Sequence, residues 1–149
     1  MRISAGLLPF RAQLSKLEVL IAHPGGPFFA RKDQGAWSLV KGEVAPDEDA
    51  RAAALREFGE ETGWQPPPDD WIDLGSVRLR SGKTVIAWAV AADFDPSTLD
   101  PGQFRMMWRG RPQQFPEIDR VIWCEPDEAR RLLNPAQAPF IDRLADRIA

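Results

Sequence analysis

Glu57, Glu60 and Glu61 stand at i, i+3 and i+4 within the stretch Gly42 to Trp64, GEVAPDEDARAAALREFGEETGW. At about 100° of rotation per residue, this spacing puts all three carboxylates on one helix face. Like charges so placed cost ~0.2–0.5 kcal/mol per pair in an isolated helix, so something must offset the repulsion. A hard divalent cation does so: Mg2+ or Mn2+ takes oxygen ligands, keeps several waters and bridges one or two carboxylates to a substrate's phosphates. The competing reading is a solvated acidic face balanced by nearby arginines. The projection sets Ala50, Ala53 and Ala54 beside the carboxylates, leaving room for a bound group, and points Leu55 and Phe58 toward a core.

The flanking residues carry a resemblance. Gly42, Glu48 and the run Arg56-Glu57-Phe58-Gly59-Glu60-Glu61-Thr62-Gly63-Trp64 match the signature of the Nudix hydrolase superfamily at every fixed position. The resemblance implies an α/β/α sandwich with a loop–helix–loop catalytic motif, and metal-dependent cleavage of a phosphoanhydride in a nucleoside diphosphate-linked substrate. It implies Glu57, Glu60 and Glu61 as the metal-binding set, with the backbone carbonyl of Lys41 as a further ligand, and Glu60 or Glu57 as general base. Arg56 is expected to pair with Glu48 and orient the helix carboxylates.

Family members often use one more carboxylate outside the motif. Glu117, in FPEID just before the last expected strand, is the first candidate and Asp119 the second. Diadenosine polyphosphates and nucleoside triphosphates are the leading substrate classes. The segment Trp37…Lys41-Gly42 is similar to that of dinucleoside polyphosphate hydrolases, yet Val40 stands where those usually have proline, and the chain has no tyrosine. A different class, a noncatalytic Nudix-fold module that senses a nucleotide or binds a protein, usually lacks some of these glutamates. All are present here.

Other side chains have two readings each. Arg31 and Lys32, in the patternless stretch FFARKDQGA, are read as a substrate-binding loop. Trp37 and Trp88 offer stacking surfaces for a nucleobase, although most of the six tryptophans must be core. His23 is read as structural before it is read as a base or phosphate contact. Cys124, the lone cysteine, excludes an intrachain disulfide and is read as a small core residue in a reducing compartment.

The 149 residues suit a single domain, 1–149. A net charge of −3 gives no global attraction to a nucleic-acid duplex or an anionic membrane, so the expected partner is a small nucleotide, with a homodimer allowed. The N-terminal MRISAGLLPFR is too short an apolar run for a signal peptide or a span, which makes the cytoplasm the default location.

The elements that must position these residues are strands at both ends and one central helix. Alternation predicts a strand from Ile3 to about Pro9 or Phe10, a turn through Gln13–Lys16, and a buried strand LEVLIAH. Trp37–Val40 reads as a short strand delivering Lys41 and Gly42. Pro46 and Asp47 read as the helix start, with Gly63 as its cap. Gly59, inside the helix, should cost ~1 kcal/mol against alanine and suggests close backbone packing. WIDLGSVRLR and KTVIAWAVAADF read as a hairpin with the second strand central; FRMMW as an edge strand, RGRPQQFPE as a loop, and Val121–Cys124 as the last strand. A short helix from Pro126 and a final one from Pro135 complete an α/β chain of α+β type, a mixed sheet covered on its faces by helices.

Overall fold

Strand β1 (Ile3–Gln13) is the spine of the sheet in the computed structural model, which describes residues 2–149. Successive residues of a strand face opposite sides, so Leu7 enters the core on one side and Leu8 the core on the other, both fully buried. One edge of β1 pairs antiparallel with β2 (Lys16–Pro24) and, nearer its start, with β3 (Val40–Glu43). The opposite edge pairs parallel with β5 (Thr84–Ala91). Outer strands β4 (Ile72–Arg78) and β8 (Ile118–Cys124) complete the order β4-β5-β1-β2-β8, with β3 on β1.

Helix α1 (Ala50–Thr62) covers one face, burying Ala53, Ala54 and Phe58 against Leu7, Leu20 and Val40. Helices α2 (Pro126–Leu132) and α3 (Pro139–Ile148) cover the other, burying Leu132, Phe140 and Leu144 against Leu8, Ile21 and Ala87. This is the three-layer α/β/α arrangement with a mixed sheet. Phe58 is fully buried, and its truncation to alanine costs ~3–5 kcal/mol at such sites. No helix among the described residues is long and apolar enough to cross a membrane.

Several elements differ from expectation. Strand β1 continues past Pro9 to Gln13 because the hairpin turn is only Leu14–Ser15, both with positive φ. Helix α1 starts at Ala50, not Pro46: Asp49 caps it by accepting from the Ala52 N–H at 3.1 Å, and Pro46–Glu48 form the turn before it. Gly63 does end it, in the left-handed region at φ 78°. The core face of α1 is Ala53, Ala54, Phe58 and Thr62, while Leu55 is only half-buried, so Ala53 and Ala54 pack inward instead of standing open beside the glutamates. Gly59 is not a close-packing point either, since a Cβ there would meet Trp64 and Gln65 only at 3.8 Å.

The short strand begins at Val40 rather than Trp37, and α3 begins at Pro139 after a turn that starts at Pro135. Residues 111–116 are a strand, not a loop: β6 (Gln103–Trp108) and β7 (Arg111–Pro116) form a two-stranded ribbon of their own. It turns at Arg109 and Gly110, both with positive φ, the geometry of the tight hairpin turn.

Candidate active site

Gly42, in β3, lies under the Glu57 carboxylate. A Cβ at residue 42 would stand 2.0 Å from that carboxylate, so only glycine lets the side chain tuck against the strand. Arg56 then organises the acids around it. Its Nε and Nη2 donate to the two oxygens of Glu48 at 2.8 and 2.9 Å, and its Nη1 donates to Glu57 at 3.0 Å and Glu60 at 3.1 Å. Nη2 also reaches the Glu43 carbonyl at 3.2 Å, tying helix to strand. The bidentate pair sets an angle as well as a distance. The Arg56 guanidinium, helped by the Ala45 N–H, holds the Glu48 carboxyl down at about 2. The same pairing, with Glu48 the largest favourable contact, raises Arg56 above its ordinary value.

Glu61 is placed differently. It has no hydrogen-bond partner among the described residues and faces a cleft of about 270 Å3 that it lines together with Lys41 and Glu117. Burial pushes its carboxyl up to about 8, with the charges of Glu117 and then Glu57 adding to the effect. Glu117 is itself raised, by burial and then by Glu57. Burial lowers the Lys41 ammonium, as does Lys83, against the pull of Glu61, Glu43 and Glu57. The three helix glutamates are thus divided: Glu57 and Glu60 lean on Arg56, while Glu61 joins Glu117 from the foot of the β6–β7 ribbon. Among the described residues no three acidic, histidine or cysteine side chains converge closely enough to cage a metal ion unaided.

The remaining candidates fall outside this cluster. Asp119 holds Nδ1 of the fully buried His23 at 2.9 Å, where a bulge in the β2–β8 pairing turns it, so it does not join Glu61. His23 Nε2 donates to the Lys32 carbonyl at 2.7 Å, making the histidine a structural pin. Trp37 is 3% exposed, with Nε1 donating to Asp33 at 2.7 Å and Arg120 over its ring, so it has no free face for a base. Trp88 packs against Trp71 on the α1 side. Arg31 and Lys32 are exposed, and the Lys32 ammonium lies over the rings of Phe28 and Phe29 at 5.3 and 5.6 Å. Phe29 itself lines the cleft. Sequence reasoning passed over Phe29 because nothing in a patternless loop marks which aromatic faces a cavity.

A strand-borne glycine under a helix glutamate, an arginine binding three acids, and two acids without hydrogen-bond partners sharing a cleft with a half-buried lysine make this cluster the candidate active site. Comparison with known proteins gives the class. The NUDIX domain family model matches residues 1–144, so the chain belongs to the Nudix family and is a hydrolase acting on acid anhydrides. It is 32% identical over 117 residues to the CTP pyrophosphohydrolase of Escherichia coli (strain K12), covering 76% of this chain and 74% of that protein. It is 29% identical over 141 residues to the RNA pyrophosphohydrolase of Erythrobacter litoralis (strain HTCC2594), covering 78% and 79%. In fold it resembles a C. elegans Ap4A hydrolase in a binary complex, with a TM-score of 0.70 at 22% identity over 99% of this chain and 98% of that one.

Proposed function

We propose that this chain is a Mg2+- or Mn2+-dependent pyrophosphohydrolase that cleaves a phosphoanhydride bond of a nucleoside triphosphate, with diadenosine polyphosphates as the second substrate class. The observation that carries the reading is the pair of acids, Glu61 and Glu117, that line one cleft together with Lys41 and without hydrogen-bond partners among the described residues. The residues fit the cation. The donors are hard oxygens alone, and an incomplete protein cage is what Mg2+ tolerates, because it keeps waters and shares its shell with phosphates. Glu57, Glu60 and Glu61 with the Lys41 carbonyl would hold it. When bound, the cation neutralises phosphate charge and makes its water a stronger nucleophile.

The chain's own groups do the rest. Arg56 fixes one oxygen of Glu57 and one of Glu60, leaving each with a second oxygen for a ligand or for a proton taken from the attacking water. The Lys41 ammonium, flanked by Glu61 and Glu57, offers positive charge to the phosphates. The name of the Escherichia coli relative, a CTP pyrophosphohydrolase, favours a nucleoside triphosphate, and the likeness to the Ap4A hydrolase is one of fold. Cys124, buried and with its thiol pushed up to about 12 chiefly by burial, suits a reducing cytoplasmic setting and no redox chemistry.

The test is a panel of nucleoside triphosphates and diadenosine polyphosphates with Mg2+ or Mn2+, products read by chromatography. Turnover is expected with metal and none in excess chelator. Binding without turnover across the whole panel would instead favour the noncatalytic nucleotide-sensing module.

A further inference from the structure

The cleft has a lining of two chemical kinds: charged, from Lys41, Glu61 and Glu117, and apolar, from Phe29, Leu39 and Ile118 among others. Phe29 is the only aromatic residue among those lining it. The tryptophans that could substitute are committed elsewhere: Trp37 is buried, Trp64 stacks on Phe94 at 4.8 Å, and Trp71 and Trp88 pack on each other.

The Phe29 ring is also held in place. The turn that carries it is closed by the Lys32 N–H donating to the Phe29 carbonyl at 2.9 Å. The far end of that turn is pinned from below, because the Lys32 carbonyl accepts from the fully buried His23, whose other ring nitrogen is fixed by Asp119. The near end is pressed onto the ribbon: Gly25 donates to the Glu117 carbonyl at 3.0 Å, and a Cβ on Gly25 would lie 1.9 Å from the Pro116 carbonyl oxygen. One face of the ring is met by the Lys32 ammonium at 5.6 Å, an arrangement that leaves the ring polarised but unstacked. Phe29 and Glu117 are therefore referenced to the same short stretch of backbone.

We propose that Phe29 is the base-stacking residue of this enzyme: a nucleobase lies on its ring while the phosphate chain runs toward Lys41, Glu61 and Glu117, which line the same cleft. His23 is then a positioning residue, acting through the Lys32 carbonyl. The proposal rests on the pyrophosphohydrolase reading for its phosphate end only, since a base can stack without being part of a cleaved substrate. Stacking against an aromatic ring tolerates every base, so the residue sets affinity for nucleotides as a class over phosphate chains without a base.

The test compares wild type with Phe29→Ala, Phe29→Leu and Phe29→Trp. With CTP and ATP as substrates, Phe29→Ala and Phe29→Leu should raise KM about tenfold with little change in kcat, and Phe29→Trp should restore it. The inhibition constant of inorganic tripolyphosphate, which has no base, should be the same in all four proteins. An unchanged KM in Phe29→Ala and Phe29→Leu, or an equal weakening of tripolyphosphate, overturns the assignment. If wild type turns over no nucleotide, the activity reading fails separately, and calorimetric titration with CTP decides this one: binding weakened in Phe29→Ala supports it, and binding equal to wild type overturns it.

Discussion

Glu60 and Glu61 are adjacent in sequence and opposite in circumstance. Glu60 belongs to a network: with Glu48 and Glu57 it surrounds one guanidinium, so these acids share a positive charge as the chain folds. Glu61 is half-buried with other carboxylates and no hydrogen-bonding partner, so folding raises its energy. The difference teaches how one helix turn serves two tasks. The Arg56 cluster supplies rigidity, and the Glu61–Glu117 side supplies the unpartnered acids that the proposed metal would satisfy.

The sharpest way to break this division is Glu61→Gln, nearly isosteric but uncharged. We expect kcat to fall by ~100-fold or more, since one lost group at a metal site is worth several kcal/mol of transition-state stabilisation. The melting temperature in metal-free buffer at pH 8 should rise, because the repelling charge is gone. Steady-state kinetics and calorimetry read both, and a variant with wild-type kcat would remove Glu61 from the site.

Arg56→Ala attacks the other half. It leaves Glu48, Glu57 and Glu60 without their shared cation, and we expect kcat to drop ~10–100-fold, the range seen when groups that orient metal ligands are lost. Arg56 and Glu60 are solvent-exposed and Glu48 and Glu57 keep partial access to water, so stability should change less than kcat. A normal kcat would show that the network is surface decoration.

The pH dependence of metal-free stability separates the halves without mutation. Glu61 binds its proton more tightly when folded, so its stabilising contribution is full below the ordinary value of 4.5 and is lost as pH rises toward about 8. Glu48 runs the opposite way: its contribution is present above 4.5 and is lost as pH falls toward about 2. Chemical denaturation across this range should show a downward slope from pH 5 to 8 that disappears in Glu61→Gln and persists in Glu48→Gln. Because the metal needs the carboxylate form, metal affinity should climb over that same interval, with protons released on binding. The smallest expected effect is a control on the same helix. Gly59→Ala adds a methyl with ordinary contacts at 3.8 Å and should stabilise by up to ~1 kcal/mol without altering kcat.

The helix and its capping glycine were legible because they depend on local spacing. Glu57, Glu60 and Glu61 had to share a face, and Gly63 had to end it. Their division into two environments was not legible, since it depends on where Arg56 and the Glu117 loop arrive in space. The start of α1 was read too early, at Pro46 and Asp47, because both are good initiators by type, whereas the capping bond from the Ala52 N–H to Asp49 sets it later, at Ala50. Residues 111–116 read as loop because Pro112 and two glutamines interrupt the alternation, yet the ribbon tolerates a proline where it is an isolated pair with open edges. Trp37 was a fair stacking candidate by type, and the Asp33 bond that buries it has no sequence signature.

The parallel pairing of β1 with β5 has a consequence for synthesis. Ile3 lies beside Thr84 and Phe10 beside Ala91, so the apolar first strand of a growing chain has no partner on that edge until β5 has left the ribosome. Its other edge is served early, by the β2 hairpin and then β3. The nascent chain therefore carries an open, hydrophobic strand edge for more than half of its translation, the interval in which long-range pairing is slow and edge-to-edge association competes. The catalytic motif, made between those two strands, can fold as a helix long before there is a finished sheet to hold it.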